Sequence, residues 1–276
     1  NFSKNLIKIN LTKKYSRIVR ISEMISKVYK VTKKIKPSLI VVYGDTDSTL
    51  VGSIVARRLN IKLMHVEAGL RSNIVNMPEE QNRVFADYLS DYLICPNKEA
   101  YNNIRFYKDK KIFNFGDVMY DSFLYYKRFI NNSFSKYFRL KYNLQHKYIF
   151  LTIHRDANSN VNKLIKFFTD ISKIKHSFFL PLHPKLKVYL KKKSINIPNN
   201  IIVSKPLSYL ESLAAIKNSQ FVVTDSGGVQ KESYFYNKKC FVLRAETEWK
   251  DLIKAKVYTD KLIIKLQEKV NENKNT

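Results

Sequence analysis

Ser38-Leu39-Ile40-Val41-Val42-Tyr43-Gly44-Asp45-Thr46 is the stretch on which the fold class turns. Ser38 to Tyr43 reads as a continuous apolar run, patterned like a strand buried on both faces, as in a parallel sheet. Gly44-Asp45-Thr46 makes a turn, and Ser48 to Leu59 reads as a helix. Upstream, Ile18, Val19, Ile21, Met24, Ile25, Val28 and Val31 recur at helical spacing until Pro37 stops them. Downstream, Lys62 to Val66 is a second buried strand ending in Glu67-Ala68-Gly69. Pro78 opens another helix at the position where its missing N–H is not needed, and Glu79 and Glu80 favour the dipole of that first turn. Tyr92 to Cys95 is a third strand. Strands alternating with helices predict parallel sheets covered by helices.

The alternation pauses between about Lys127 and Gln145, a polar and aromatic stretch read as an inter-domain connection. It restarts with strands at Tyr148–Ile153, Phe178–Leu182, Ile201–Val203, Phe221–Thr224 and Cys240–Leu243. Helices are expected at Val161–Ile174, Tyr209–Lys217 and Val229–Tyr236. The expected organisation is α/β, with one parallel-sheet domain over residues 1–135 and a second over 136–276.

Composition narrows the function classes. The 45% hydrophobic content suffices for a core, and no apolar run is long enough to cross a membrane as a helix. Cys95 and Cys240, alone in a chain of 276 residues, make no disulfide framework and read as free buried thiols of a cytoplasmic protein. The net charge of +27 comes mostly from Lys spread along the whole chain. Without a compact nucleic-acid motif it reads as solvated surface rather than a nucleic-acid interface, though its field draws in anions.

In open parallel sheets ligands bind beyond the carboxyl ends of the strands, so the polar residues there are the site candidates. Asp45 and Glu67 end neighbouring strands, and Glu79 starts a helix nearby in sequence; converging carboxylates suit acid/base work. Each also has a plain reading: Asp45 as a turn residue, Glu67 as the partner of Arg71, Glu79 as a helix-capping acid. Thr224-Asp225-Ser226-Gly227-Gly228 follows a strand and opens a helix, offering N–H groups to a phosphate. Glu232, one turn on, can accept from two ribose hydroxyls. His154 and His183 each follow a strand; His154 can hydrogen-bond a phosphate or sugar hydroxyl or read as a satisfied surface histidine, and His65, inside a strand, reads as structural. No His/Cys/Asp set has metal-ligand spacing, so neither metal nor cofactor is expected.

Five segments together resemble the non-hydrolysing UDP-N-acetylglucosamine 2-epimerase family. They are Gly44-Asp45-Thr46-Asp47-Ser48-Thr49, His65-Val66-Glu67-Ala68-Gly69-Leu70-Arg71-Ser72, Met77-Pro78-Glu79-Glu80-Gln81-Asn82-Arg83, Thr152-Ile153-His154-Arg155, and Thr224-Asp225-Ser226-Gly227-Gly228-Val229-Gln230-Lys231-Glu232. The resemblance implies a GT-B-like fold of two Rossmann-like domains, with UDP lying mainly on the second. It implies inversion at C2 of a UDP-N-acetylhexosamine through elimination and re-addition of UDP. Asp45, Glu67, Glu79 and His154 become the catalytic set, and Arg71, His183, Arg244, Ser226, Gly227, Gly228 and Glu232 the substrate and UDP ligands. It further implies a UDP-sugar partner, a homodimer, and no membrane or nucleic-acid partner. Gly116-Asp117-Val118-Met119-Tyr120-Asp121, Pro181-Leu182-His183-Pro184 and Glu246-Thr247-Glu248-Trp249 are similar to the branch acting on UDP-2,3-diacetamido-2,3-dideoxyglucuronate, which serves surface polysaccharide. The family's opening strand with its Gly-x-Arg-Pro loop has no counterpart, nor do its closing helices, so the first domain is expected to be incomplete and the chain trimmed at both ends. An inactive remnant that only binds UDP, or a GT-B glycosyltransferase, are the competing readings.

Overall fold

The computed structural model describes residues 6–12, 16–144, 147–153 and 161–243. They form two compact units dividing between Val118 and Met119.

In the first unit, strands β1 (Leu39–Tyr43), β2 (Lys62–Val66), β3 (Tyr92–Cys95) and β4 (Lys111–Asn114) form an all-parallel sheet in that order. Helices α1 (Arg17–Ile35), α2 (Asp47–Arg58), α3 (Pro78–Leu89) and α4 (Lys98–Ile104) alternate with them. Val42, Ala56 and Leu63 form a fully buried cluster between sheet and helix. Gly52 sits on α2 because a Cβ there would stand 2.6 Å from Cγ1 of Val42, so the helix can lie close on β1. The expectation that β1 is buried on both faces does not hold: Val41 is 56% exposed and only Val42 is buried. Among the described residues β1 pairs with β2 alone, at the edge of the sheet, which leaves its outer side chains uncovered.

The second unit holds α5 (Val118–Lys127), whose first residue falls at the division, followed by α6 (Asn132–Lys141), β5 (Tyr148–Thr152), α7 (Val161–Ser172), β6 (Ser177–Pro181) and α8 (Pro184–Lys192). Then come β7 (Ile201–Ser204), α9 (Tyr209–Asn218), β8 (Phe221–Thr224), α10 (Gly227–Phe235) and β9 (Cys240–Val242). All strands are parallel, in the order β7-β6-β5-β8-β9. One core lies over each face of the sheet, one built on Ile149, Leu151, Phe178 and Val223, the other on Phe150, Phe179 and Val222. Residues 127–145, expected as a plain connection, contain α6. Asn131 caps it by accepting from the Phe134 N–H at 2.8 Å, and Lys141 and Tyr142 reach Glu211 of α9 at 2.7 and 2.9 Å. Ser208 and Glu211 close a reciprocal capping box on α9.

The order of the second sheet reverses between β5 and β8. A crevice therefore opens at their carboxyl ends, the topological switch point where such sheets bind ligands. Thr152 and Thr224 face each other there, hydroxyl to hydroxyl at 2.5 Å. No described helix is long and apolar enough to cross a membrane.

Candidate active site

The carboxyl ends of β1 and β2 carry the first cluster. Gly44 (φ +65°), Glu67 (φ +72°) and Gly69 (φ +80°) all adopt left-handed backbone, which turns each chain sharply off its strand. For Glu67, a residue with a side chain, that conformation is strained, and such strain gathers at functional positions. A Cβ on Gly44 would lie 3.4 Å from Oε2 of Glu67, so the Glu67 carboxylate lies over the turn that carries Asp45. Burial first, then the charges of Glu67 and Asp117, push the Tyr43 phenol up to about 12.

Helix α3 fixes this rim with polar groups pointing inward. Arg83, 2% exposed, donates to Asp45 Oδ2 at 2.5 Å and to Glu80 Oε2 at 2.8 Å. Asn82 donates to the Asp45 carbonyl at 2.8 Å. Burial alone would raise Glu80. The Ser72 N–H and hydroxyl, Arg83 and the Asn73 N–H outweigh it and hold this carboxyl below its ordinary range. Glu79 is half-buried one turn before Arg83, and its charge helps raise the Arg17 guanidinium, which bonds chiefly to Asp47. That bond is also the main cause holding Asp47 below the usual carboxylate range.

His65, Asp87 and Arg71 form a buried group beneath the rim. His65 Nδ1 meets Asp87 Oδ1 at 2.7 Å, and Nε2 meets the Gly44 carbonyl at 2.8 Å. Arg71, expected as a ligand residue or as the partner of Glu67, lays its guanidinium on Asp87 Oδ2 at 2.7 Å and on the Leu70 carbonyl.

The second cluster sits at the switch point. Ser226 caps α10 by accepting from the Val229 N–H at 3.4 Å, and its own N–H donates to the Thr224 hydroxyl at 2.9 Å. The first-turn N–H groups of Gly227 and Gly228 have no acceptor within the helix, the usual state of a helix start, and suit a phosphate. One turn on, Glu232 is buried, which pushes its carboxyl up to about 7 despite a hydrogen bond from the Tyr209 hydroxyl. Tyr209 also lines a cavity of about 520 Å³ with Met119, Ser122, Tyr126, Ser208 and Leu210, within the range of small-molecule sites. His183 is half-buried, and its Nδ1 accepts from the Lys185 N–H at 3.3 Å, capping α8.

The structure thus brings Asp45 and Glu67 into adjoining turns and puts Glu79 on the helix that binds Asp45. Ser226, Gly227, Gly228 and Glu232 stand in one turn and helix at the switch point. His154, Arg244 and the segment Glu246 to Trp249 lie outside the described residues. Among the described residues no cluster of His, Cys, Asp and Glu is able to hold a metal ion. Both thiols are free; Cys95 is buried and Cys240 half-buried. Burial pushes each to about 12, which removes them as nucleophiles near neutral pH.

The family model for UDP-N-acetylglucosamine 2-epimerase matches residues 3–272. The chain belongs to this epimerase family. It is 39% identical over 243 residues to a UDP-N-acetylglucosamine 2-epimerase homolog of Methanococcus maripaludis, a match covering 84% of this chain and 66% of that protein. It is 35% identical over 238 residues to the UDP-2,3-diacetamido-2,3-dideoxy-D-glucuronate 2-epimerase of Pseudomonas aeruginosa, covering 83% and 65%. This member of the epimerase family therefore spans about two thirds of the length of those relatives. The crystal structure of the Methanocaldococcus jannaschii UDP-GlcNAc 2-epimerase in complex with UDP-GlcNAc and UDP superposes with a TM-score of 0.84 at 32% identity. It covers 100% of this chain and 80% of that one. The expected class, two Rossmann-like parallel-sheet units of GT-B-like type, is the one the chain has.

Glu80, Asn82 and Arg83, read in the sequence only as a helix start and a family motif, and Asp87 and Tyr209, not singled out at all, are the residues that the sequence did not mark as part of the site. A signal for those on α3 was present: Glu80, Arg83 and Asp87 recur at helical spacing, while Val84, Phe85 and Tyr88 fall on the other side. A helix whose charged stripe faces inward is itself a mark of a polar site. For Tyr209 no local signal exists, since its contact with Glu232 joins two helices.

Proposed function

We propose that this protein is a UDP-sugar 2-epimerase that inverts C2 of UDP-N-acetylglucosamine or of its 2,3-diacetamido uronic acid relative, supplying a precursor for surface polysaccharide. The observation that carries the reading is the paired turn at β1 and β2, with the Glu67 carboxylate lying over the turn of Asp45. The switch-point turn of Ser226, Gly227 and Gly228, with buried Glu232 behind it, supports it. So do the names of the relatives, which are epimerases of both substrates.

The C2 proton of such a sugar is not next to a carbonyl, so simple deprotonation is slow. A base removes it while the C1–O bond to UDP breaks. The C–H electron pair becomes the C1–C2 double bond, and UDP leaves with the bonding pair of its oxygen. UDP then re-adds at C1 as a proton arrives at C2 from the opposite face. Asp45, Glu67 and Glu79 supply the base and acid. The Gly227 and Gly228 N–H groups hold phosphate charge as UDP departs, together with His154, Arg71, His183 and Arg244. Glu232 accepts from the ribose hydroxyls. A homodimer and a cytoplasmic setting belong to the same proposal, and sedimentation measures the first.

The test is incubation of the chain with each UDP-sugar in deuterated water. Deuterium at C2 of recovered UDP-sugar is the expected result, and the faster substrate identifies the branch. UDP binding without exchange would favour a remnant that only binds the nucleotide. Transfer of the sugar to an acceptor, with C2 untouched, would favour a glycosyltransferase.

A further inference from the structure

One carboxylate beneath the first cluster is linked to both of its turns, to one directly and to the other through a histidine. Asp87 is completely buried on α3, as is His65 on β2. Through Oδ2 it accepts the Gly69 N–H at 3.2 Å and the Arg71 guanidinium at 2.7 Å, which anchors the segment just past Glu67. Through Oδ1 it meets His65 Nδ1 at 2.7 Å, and the far nitrogen of that ring meets the Gly44 carbonyl at 2.8 Å, one residue before Asp45. The Gly44 carbonyl can only accept, so Nε2 carries a proton; a second proton lies between Nδ1 and Oδ1. Both turns are thus tied to one helix through directional, charge-assisted bonds rather than through apolar packing alone. Gly69 allows no slack: a Cβ there would stand 2.2 Å from the Ala100 carbonyl oxygen.

We infer that Asp87 is a positioning residue that holds the Asp45 turn and the Glu67 turn in one fixed register. It reaches the first through His65 and the second through Gly69 and Arg71. This inference rests on the epimerase reading for its effect on rate, and on geometry alone for its effect on the turns. Loss of the tie leaves both carboxylates in place and frees them to drift. Misplacement of about 1 Å costs on the order of 100-fold in rate, so Asp87→Ala is expected to lower kcat by about that factor. KM should shift by less than roughly threefold, since all the proposed UDP-holding residues except Arg71 belong to the other unit. Asp87→Asn keeps the shape, can donate to His65 and can still accept from Gly69. It is expected to recover at least roughly tenfold of the loss, a rescue that bulk stabilisation of the core does not predict.

The experiment measures kcat and KM by deuterium incorporation for the wild-type chain, Asp87→Ala, Asp87→Asn and His65→Leu. The last cuts the tie to Gly44 while leaving Asp87 paired with Arg71, so it decides the matter should Asp87→Ala not fold. Amide hydrogen exchange is read in parallel at Gly44 and at Glu67 to Gly69, whose N–H groups are all bonded in the native structure. A fall in kcat with KM held, rescue by Asn, and faster exchange in both turns together support the positioning role. A kcat within threefold of wild type in Asp87→Ala or, failing that, in His65→Leu overturns it, as does a change in KM alone or an Asn variant no better than Ala. If the wild-type chain incorporates no deuterium, the epimerase reading fails on its own account. The tie is then decided by exchange: loosening of both turns in Asp87→Ala, or of the Gly44 turn in His65→Leu, supports it, and unchanged protection of those turns overturns it.

Discussion

Glu232 is held against solvation, and that has a measurable consequence. Burial pushes its carboxyl from 4.5 up to about 7. Between those values the folded state binds more protons than the unfolded state, so this group's contribution is complete below about pH 4.5 and is lost as pH rises through 7. The difference corresponds to about 3 kcal/mol. Glu232→Gln is neutral at every pH and removes that loss. Urea denaturation at pH 5 and pH 8 is expected to show the wild-type chain weakening toward pH 8 by up to this amount more than the variant does. The same variant should bind UDP more weakly at pH 8, because a neutral amide accepts less strongly from two hydroxyls. An equal pH slope in both proteins would mean that Glu232 is hydrated in solution. The position of Glu232 was legible because Ser226-Gly227-Gly228 precedes it by one turn. Its raised pKa was not, since that depends on what α9 and the sheet pile onto it.

At the scale of the element, α3 is the piece with most to explain. Its buried face carries Glu80, Asn82, Arg83 and Asp87, while Val84, Phe85 and Tyr88 are exposed. The motif Pro78 to Arg83 located the helix and its start, but an inward charged stripe runs against ordinary amphipathic patterning, so its direction stayed hidden. Short helices were the other loss. In α6 only Ser135 and Phe138 are buried, and its hold comes from side-chain bonds to α9, seventy residues further along the chain. Such an element leaves almost no apolar period to read. Arg83 makes the energetic case for α3. It is 2% exposed and neutralises Asp45 and Glu80 at once. Arg83→Met strands two carboxylates, one of them buried, and is expected to destabilise the first unit by about 3–5 kcal/mol. Adding Glu80→Gln to that variant should recover part of the loss, because the remaining buried group is then neutral. Chemical denaturation of both variants checks this, and a double variant no more stable than the single would show that Glu80 finds another partner.

Over the whole molecule, what sequence conveyed well was the alternation that makes two parallel sheets, since strand and helix periods are local. The order β7-β6-β5-β8-β9, and so the switch point beside Thr224, comes from pairing between distant segments and could not be read that way. Net charge is the remaining property that no single element owns. At +27 the chain carries a field that attracts any polyanion, and the proposed substrate is a sugar diphosphate ester of uridine. The field acts on encounter and is screened as the Debye length falls from about 30 Å at 0.01 M salt to about 8 Å at 0.15 M. The chemistry proposed for Asp45 and Glu67 is screened far less. So kcat/KM for the UDP-sugar is expected to fall by about tenfold over that range while kcat at saturation holds within roughly twofold. Steady-state kinetics at several salt concentrations measures both. A kcat that falls in step with kcat/KM would mean that salt loosens the site itself, and the surface charge would then belong to the fold of the site rather than to the capture of its substrate.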